Sequence, residues 1–496
     1  MLPQSRDYAS LKGRPRGGFW IFALKYLSTR GEAAPLSFMQ TLLHGLAPDG
    51  GLYLPEFYPQ LDAAAIARFS GRPYAEVAQT VIAPFVDSEI EPAALRAMIE
   101  EAYASFRHSA VAPLVQLDAG LFTLELFHGP TLAFKDLAMQ LLARLVDHAL
   151  KARGQRATIV GATSGDTGAA AIEAFCGLSQ VDVVILYPHG RVSEVQRRQM
   201  TTSGAANVHV IALEGSFDDA QSAVKAMFAN RALREETGLA GVNSINFARV
   251  LAQTVYYFTS AVALGAPGRA ASFVVPTGNF GDIFAGWIAK RMGLPVERLV
   301  VATNANDILV RALESGDYAI GASLATQSPS MDIQVSSNFE RLLFEAHGRD
   351  ADAVRRKMAQ LAQSRGFAID AEPLEKIRAE FDAFSVDEAG TTAEIARTFR
   401  ESDYILDPHT AVGVAAARRE ALARDSRAPL IALGTAHAAK FPDAIEAAIG
   451  VRPALPPHLE RLMGASERVS VLPNDQREIE RFVRVASRAS AARAAS

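Results

Sequence analysis

The stretch from His128 to Asp136 (HGPTLAFKD) places Lys135 just after a Gly-Pro turn and at the mouth of a predicted helix. Apolar residues that follow it recur at helical spacing: Leu137, Leu141, Leu142 and Leu145. A lysine amine in such an apolar setting has a lowered pKa and becomes a nucleophile for an aldehyde. The alternative is a lysine whose stem packs while its amine reaches the surface from a helix end.

Glycine-bearing loops follow three predicted strands, at Gly161–Gly168, Pro276–Asp282 and Gly434–His437. The first two loops lead into helices, and backbone amides at a helix N-terminus make an anion site. Neither loop ends in the Gly-Lys-Ser/Thr of a Walker motif. Ordinary strand-to-helix turns also produce such loops. A cofactor with one phosphate and one aldehyde, however, would use both anion cradles together with Lys135.

A polar segment from Asn243 to Arg249 begins a long apolar helix. Asn243 or Ser244 can cap this helix, with Arg249 simply solvated. The alternative is a second anion site in which the planar guanidinium of Arg249 grips a substrate phosphate.

Composition excludes several classes of function. The 496 residues are 49% hydrophobic and 21% charged, with a formal net charge of −4, so nucleic acid is not an implied partner. Apolar runs are too short to span a bilayer, so no membrane partner is expected. The single cysteine, Cys176, excludes an intrachain disulfide and a cysteine-based zinc cluster. We therefore expect a cytoplasmic protein that binds a small molecule and no metal.

The elements that position these residues alternate between strand and helix from about Ala157. Predicted strands are Ala157–Val160, Val183–Leu186, Val208–Leu213, Ser272–Pro276, Leu299–Thr303 and Leu430–Leu433. Predicted helices are Ala169–Phe175, Glu194–Met200, Phe217–Phe228, Phe247–Leu264 and Ile283–Met292. Continuous apolar strands between amphipathic helices indicate an α/β fold with a mostly parallel sheet covered on both faces. Ligands bind at the carboxyl ends of such strands.

Changes in composition and in predicted secondary structure along the chain divide it into four regions. Residues 1–23 are expected to form a disordered basic extension, and residues 24–106, richer in turns and helices, a separate N-terminal domain. Residues 107–450 should form a catalytic region of two α/β subdomains. Residues 451–496, in which arginines alternate with small residues towards the end, are expected to form a helical tail.

Taken together, the motifs resemble those of the threonine synthase family, which uses pyridoxal phosphate on the tryptophan-synthase-β-like fold (fold type II). The resemblance runs from about Lys25 to Gly450. The segments that carry it are Lys25–Gly31, Gly45–Tyr53, Pro130–Asp136, Ala162–Gly168, Gly278–Asp282 and Gly434–His437. It implies two open, twisted, mostly parallel sheets flanked by helices, with an additional N-terminal domain.

The resemblance also implies residue roles. Lys135 would bond to pyridoxal 5′-phosphate and move protons at Cα and Cβ, and Thr435 would face the pyridine nitrogen. The cofactor phosphate would be held, mainly through backbone amides, by Gly278, Asn279, Phe280, Gly281 and Asp282. The substrate carboxylate would lie against Thr163, Ser164, Gly165, Asp166 and Thr167. The substrate phosphate would be bound by Asn243, Ser244 and Arg249.

Asp166 departs from the wider fold, where many relatives carry an asparagine that contacts the cofactor's 3′ oxygen. An ionised aspartate cannot donate a hydrogen bond, so Asp166 either shares a proton with that oxygen or contacts another group.

The implied activity is conversion of O-phospho-L-homoserine and water to L-threonine and phosphate, the last step of threonine biosynthesis. Alternatives on the same fold are a lyase that releases 2-oxobutyrate and a dehydratase that acts on threonine or serine directly. A non-catalytic binding protein is a further alternative. Monomer and homodimer both stay open.

Overall fold

A computed structural model describes residues 24–241, 244–424 and 426–490; the expected basic extension at residues 1–23 lies outside this part of the chain. The strands are β1 Tyr26–Ser28, β2 Tyr53–Pro55, β3 Leu114–Asp118, β4 Leu121–Glu125, β5 Ala157–Ala162, β6 Val181–Pro188, β7 Val208–Glu214, β8 Leu239–Ala240, β9 Ala271–Pro276, β10 Val296–Thr303, β11 Asp317–Ala319, β12 Gly366–Ala368, β13 Phe381–Ser385, β14 Leu430–Gly434 and β15 Ser470–Pro473. The predicted strands are all present, with bounds that differ by a few residues.

Helices alternate with these strands along most of the chain. They are α1 Phe38–His44, α2 Ala63–Ala67, α3 Tyr74–Val86, α4 Pro92–Tyr103, α5 Lys135–Ala152, α6 Asp166–Phe175, α7 Glu194–Thr201, α8 Phe217–Ala229, α9 Arg231–Thr237, α10 Phe247–Ala263, α11 Gly281–Arg291, α12 Ile308–Ser315, α13 Phe339–Ala346, α14 Ala351–Ser364, α15 Ala371–Arg378, α16 Glu388–Ser402, α17 Pro408–Ala423, α18 Pro442–Ile449 and α19 Gln476–Ala486. Short 3₁₀ turns occupy Asp87–Glu89, Pro329–Met331, Ala438–Lys440 and Pro457–Gly464.

The larger sheet has the strand order β13-β10-β9-β14-β4-β3. Its strands are parallel except β3, which pairs with β4 in antiparallel orientation. Neighbouring residues of β9 enter different cores: Phe273 packs into one cluster and Val274 into another. The sheet is therefore buried on both faces, which explains the continuous apolar runs of its central strands.

The smaller sheet has the order β15-β7-β6-β5-β8, and all its pairings are parallel. Its central strand β6 is buried at every position. Two mostly parallel sheets flanked by helices were the fold expected from the sequence, and this expectation is confirmed.

The C-terminal region differs from the expected helical tail. Strand β15 pairs with β7, with Ser470 opposite Ile211, and so extends the smaller sheet. Helix α19 buries Ile479 and Val483 in the core beneath that sheet. The reason is the spacing of these two residues, which places an apolar stripe on an otherwise charged helix.

The N-terminal region contributes to the main core. Tyr26 of β1 is fully buried, and its ring lies 5.9 Å from Phe38 and 5.3 Å from Phe247 of α10. Its hydroxyl donates a 2.7 Å hydrogen bond to the carbonyl oxygen of Phe85. One aromatic side chain thus joins β1, α1, α3 and the helix that begins beside Arg249.

Replacing Tyr26 with phenylalanine should lower the free energy of unfolding by about 1–2 kcal/mol, because the buried Phe85 carbonyl loses its side-chain donor while the ring packing is kept. Urea unfolding of both proteins measures this difference. A change below about 0.3 kcal/mol would show that the hydroxyl group adds little to the stability of this core.

Candidate active site

Three helices begin at or beside residues expected in the site: α5 at Lys135, α6 at Asp166 and α11 at Gly281. The last two follow the carboxyl ends of β5 and β9. The partial positive charge at these helix N-termini favours bound anions. The fold thereby provides positive potential before any side chain is considered.

Lys135 is buried, so the surface-lysine alternative is wrong. Its Nζ lies 3.3 Å from Ser330 Oγ and 3.6 Å from Asp166 Oδ2. Burial lowers the pKa of the Lys135 amine; the nearby charges of Lys440 and Arg249 lower it further, while Asp166 opposes the shift. The amine is therefore easier to deprotonate than that of an ordinary lysine.

Asp166 contacts a second lysine that the sequence analysis did not single out. Its Oδ1 lies 2.8 Å from Nζ of Lys440 and accepts a 2.9 Å hydrogen bond from Nε2 of Gln196. Ser330 Oγ lies 3.3 Å from its Oδ2. Burial alone raises the pKa of Asp166, but Lys440 and Lys135 outweigh this and hold it well below its usual range. Asp166 is thus an ionised carboxylate.

A hydrogen-bonded histidine and aspartate support the turn that carries Ser330. The backbone N–H of Ser330 donates to Nε2 of His409 at 3.2 Å, and Nδ1 of His409 lies 2.8 Å from Oδ1 of Asp407. Asp407 also caps α17 through the backbone amides of His409 and Thr410. Its position before a proline at a helix start is a sequence signal of this cap that could have been used.

The loop before α11 is held in one conformation by its surroundings. Asn338 Nδ2 donates to the carbonyl of Asn279 at 2.9 Å, and Ser336 Oγ donates to that of Gly278 at 2.6 Å. A Cβ on Gly278 would lie 2.9 Å from the carbonyl oxygen of Ser330, so only glycine fits this close approach.

Phe280 is the N-cap of α11 and has a positive φ of 63°, which is uncommon for a residue with a side chain. Its ring lies 5.3 Å from Phe339 and 5.8 Å from Phe381. Aromatic packing therefore offsets the backbone strain and fixes the helix start beside Gly281.

The Asp282 side chain points to α10. Oδ1 accepts hydrogen bonds from the hydroxyl groups of Tyr256 and Tyr257, and within the described residues Oδ2 has no hydrogen-bond partner. Burial raises the pKa of Asp282 to about 6, against a smaller opposite effect of the two tyrosines.

Replacing Asp282 with asparagine should make the protein more stable relative to wild type at pH 8 than at pH 4, by about 1–3 kcal/mol. A carboxyl group whose folded pKa is raised stabilises the fold below its unfolded pKa, near 4, and loses that contribution as the pH rises through about 6. Urea unfolding at both pH values tests this. A difference between the two proteins that does not change with pH would contradict it.

The loop between β5 and α6 is shaped by Thr163, whose Oγ1 accepts 2.9 Å hydrogen bonds from the amides of Gly165 and Gly168. Ser164 and Thr167 are half-buried beside it. Gly165 has a φ of 140°, and a Cβ there would lie 2.4 Å from Cδ of Gln196. Here a glycine is required both by backbone conformation and by space.

Thr435 is buried at the end of β14. Its backbone N–H donates to Thr410 Oγ1 at 3.1 Å, and its carbonyl accepts a 2.8 Å hydrogen bond from the N–H of Phe134. The residue therefore lies directly against the segment that leads into Lys135.

Arg249 is buried in the first turn of α10, so a solvated arginine is the wrong alternative. Burial lowers its pKa to about 10. The carbonyl of Ser244 accepts a 3.2 Å hydrogen bond from Asn338 Nδ2, which connects this segment to the loop before α11. The N-cap is Asn246, rather than either residue considered from the sequence, and Asn243 lies outside the described residues.

Positively charged side chains gather in this site. Lys135, Lys440 and Arg249 are all buried, and the Asp166 carboxylate lies between the two lysines. Buried cations attract anions strongly, because little water screens their charge. The arrangement, together with the helix N-termini, therefore suits a ligand that carries phosphate or carboxylate groups.

Comparison with known proteins gives the family. The pyridoxal-phosphate-dependent enzyme family matches residues 107–372, the threonine synthase N-terminal family residues 25–103, and the threonine synthase C-terminal family residues 410–483. The chain is 52% identical over 461 residues to threonine synthase of Pseudomonas aeruginosa, which covers 93% of this chain and 98% of the relative. The chain belongs to the threonine synthase family.

Solved structures of this family have the same fold. The PLP-bound threonine synthase of Brucella melitensis is 58% identical, with a TM-score of 0.92 over 94% of this chain and all of the other. The yeast threonine synthase is 38% identical, with a TM-score of 0.89 over 93% of this chain and 98% of the other. The resemblance found in the sequence is confirmed, and the cofactor is pyridoxal phosphate.

The residues present fit that cofactor. An aldehyde needs a buried amine of lowered pKa, as at Lys135, and a phosphate needs a close backbone approach at a helix N-terminus, as at Gly278. The described residues contain no group of three or more His, Cys, Asp or Glu side chains placed to hold a metal ion. Their helices include none that is long and apolar enough to cross a membrane.

Proposed function

We propose that this member of the threonine synthase family converts O-phospho-L-homoserine and water to L-threonine and phosphate. The observation that carries the proposal is the pair of buried lysines, Lys135 and Lys440, on either side of Asp166, close to the N-terminus of α6, with buried Arg249 in the first turn of α10. Two anion sites suit a reaction in which cofactor and substrate each bring a phosphate. The single cysteine, Cys176, fits our further proposal of a cytoplasmic location.

For the cofactor, we propose that Lys135 bonds to the aldehyde and that Thr435 faces the ring nitrogen. The phosphate would lie on the backbone of Gly278, Asn279, Phe280, Gly281 and Asp282. The tyrosine contacts of Asp282 support a backbone role for this residue, because its carboxyl group points into α10. When bound, pyridoxal phosphate supplies an electron sink for charge that develops at Cα.

For the substrate, we propose that the carboxylate lies at the N-terminus of α6. The residues of this cradle are Thr163, Ser164, Gly165, Asp166 and Thr167. Asp166 is ionised and cannot donate a hydrogen bond, and Thr163 already accepts hydrogen bonds from the loop amides. The substrate carboxylate would therefore accept hydrogen bonds mainly from the hydroxyl groups of Ser164 and Thr167 and from the N-terminus of α6. Asn243, Ser244 and Arg249 would bind the substrate phosphate.

Lys135 would then remove the proton at Cα. A proton would next leave Cβ and phosphate would leave Cγ. Cγ would gain a proton, water would add its hydroxyl group at Cβ with its other proton ending on the released phosphate, and a proton would return to Cα. The lowered pKa of Lys135 suits a base, and Ser330 and Asp166 lie where a proton on its Nζ would be stabilised. Burial of the amine keeps bulk water from that proton.

The alternatives differ in product or substrate. A lyase would release 2-oxobutyrate from the same substrate, and a dehydratase would accept threonine or serine and need no phosphate site. The burial of Arg249 disfavours the dehydratase. The lyase would use the same residues as the synthase, so a measurement of the products is needed to distinguish the two activities.

The test is incubation of the purified enzyme with O-phosphohomoserine, with threonine, 2-oxobutyrate and phosphate measured in the same samples. Equal amounts of threonine and phosphate are expected. Equal amounts of 2-oxobutyrate and phosphate would replace the proposal with the lyase. Parallel incubations with threonine and serine should give no ketoacid; rapid release from either would indicate the dehydratase.

We further propose that residues 24–106 form the N-terminal domain and residues 107–450 the catalytic region of two subdomains. Matches of separate families at 25–103 and 107–372 support the first boundary. Residues 451–496 are better described as an extension of the second subdomain, because β15 and α19 complete its sheet and core.

A further inference from the structure

Lys440 is an unusual residue to find in this site. It is fully buried, and it lies in a 3₁₀ turn just after the loop that carries Thr435. Its Nζ is 2.8 Å from Asp166 Oδ1 and donates a 2.7 Å hydrogen bond to the carbonyl oxygen of Thr131. A fully buried ammonium group is costly to desolvate, so it is retained where its charge has a use.

The two carboxylate oxygens of Asp166 contact different groups. Oδ1 is taken by Lys440 and Gln196, whereas Oδ2 faces Ser330 and the amine of Lys135 at 3.6 Å. This division fixes the orientation of the carboxylate. Oδ1 is held by Lys440 and Gln196, and Oδ2 faces the Lys135 nitrogen.

We propose that Lys440 is a positioning residue. It keeps Asp166 ionised and in one orientation, and thereby sets the electrostatic environment of the Lys135 nitrogen. The inference rests on the proposed function and deepens it. Lys440 would touch neither substrate nor cofactor; it acts through Asp166.

The groups that face this pair come from several elements. Lys135 and Asp136 lie on α5, His409 on α17 and Arg249 on α10. Lys440, Lys135 and His409 lower the pKa of Asp166, although burial opposes them. Lys440 and Arg249 act on Lys135 in the same direction as its burial, and Asp166 acts against it. Lys440 also lowers the pKa of Asp136, which burial raises to about 6.

The directions of these pKa effects predict the outcome of removing Lys440. Without Lys440, no second lysine repels the positive charge of protonated Lys135, and Asp166 attracts Lys135 as its one remaining close lysine. Both effects favour a proton on the Lys135 nitrogen. The pH at which that nitrogen loses its proton should therefore rise, by about one unit, the usual size of the effect of one nearby charge.

The experiment uses the full-length enzyme loaded with pyridoxal phosphate. The visible absorption band of the cofactor bonded to Lys135 is followed against pH in wild type, Lys440→Met and Lys440→Gln. The midpoint is expected to rise by about one pH unit in both variants. In Asp166→Asn the midpoint should fall, since the attracting carboxylate is gone. An unchanged midpoint in the Lys440 variants overturns the inference.

Gln196→Met is the matched control, because it removes a neutral hydrogen bond from the same Oδ1. Its midpoint should move by less than about 0.3 unit. A shift as large as that of Lys440→Met would mean that any contact to Oδ1 matters, and it would overturn a role for the charge.

A second measurement covers variants that do not load the cofactor. In the cofactor-free full-length chain, the rate at which Lys135 is acetylated by trace acetic anhydride is measured against pH by peptide mapping. The same upward shift is expected in Lys440→Met, and no shift overturns the inference. Neither measurement depends on turnover, so a wrong product in the incubation with O-phosphohomoserine would remove the proposed function without deciding the role of Lys440.

Discussion

Replacing Lys135 with alanine is expected to lower the rate of threonine formation by at least about 10³-fold, because it removes the amine that we propose bonds to the cofactor and moves protons at Cα and Cβ. The surroundings favour no substitute: the hydroxyl of Ser330 is too weak a base, and Asp166 is held ionised at low proton affinity. Rates are measured with saturating O-phosphohomoserine and added pyridoxal phosphate.

Lys151→Ala is the matched control for this variant, since Lys151 lies at the other end of α5 with its side chain 57% exposed. It should keep a rate close to wild type. The Lys135→Ala protein should also lack the visible absorption band of the bonded cofactor. A variant that kept this band, or more than a tenth of the rate, would place the cofactor on another lysine.

Replacing Arg249 with glutamine should lower kcat/KM for O-phosphohomoserine by about 10²- to 10⁴-fold, mainly through KM, because the charge-assisted contact that we propose to the substrate phosphate is lost. Inorganic phosphate bound at this guanidinium should also stabilise the folded protein.

Steady-state kinetics and thermal unfolding with and without inorganic phosphate measure the two effects. Phosphate should raise the midpoint of wild type more than that of Arg249→Gln. Arg72→Gln, at an arginine that is 60% exposed and paired with Glu76, serves as the control and should change neither. An unchanged KM in Arg249→Gln would exclude the guanidinium from substrate binding.

The fold was predictable where burial on both faces leaves a continuous apolar run, as in β6 and β9. Strands β3 and β15 were not recognised, because each lies at a sheet edge and alternates partly exposed with more exposed positions. For such short edge strands, pairing is decided by the neighbouring strand rather than by their own composition.

The sequence pointed to Lys135 and to the loops at Gly161–Gly168 and Pro276–Asp282, because glycine loops before helices have a local signature. Lys440 and Ser330 have none: one follows two alanines and the other lies in a Ser-Pro-Ser turn. Their surroundings come from segments distant in the chain: Thr131 and Asp166 contact the lysine, and Gly278 lies against the turn. No spacing rule connects positions that only the tertiary structure brings together.

The packing of Phe280 between Phe339 and Phe381 has a consequence for how the cofactor is acquired. Because these rings hold the strained start of α11 in place, the loop is ordered when the chain folds rather than when pyridoxal phosphate arrives. The entropic cost of ordering this loop then lowers the stability of the folded protein, and it does not weaken the binding of the cofactor. Cofactor uptake should accordingly proceed as docking into a rigid receptor, with a small heat-capacity change.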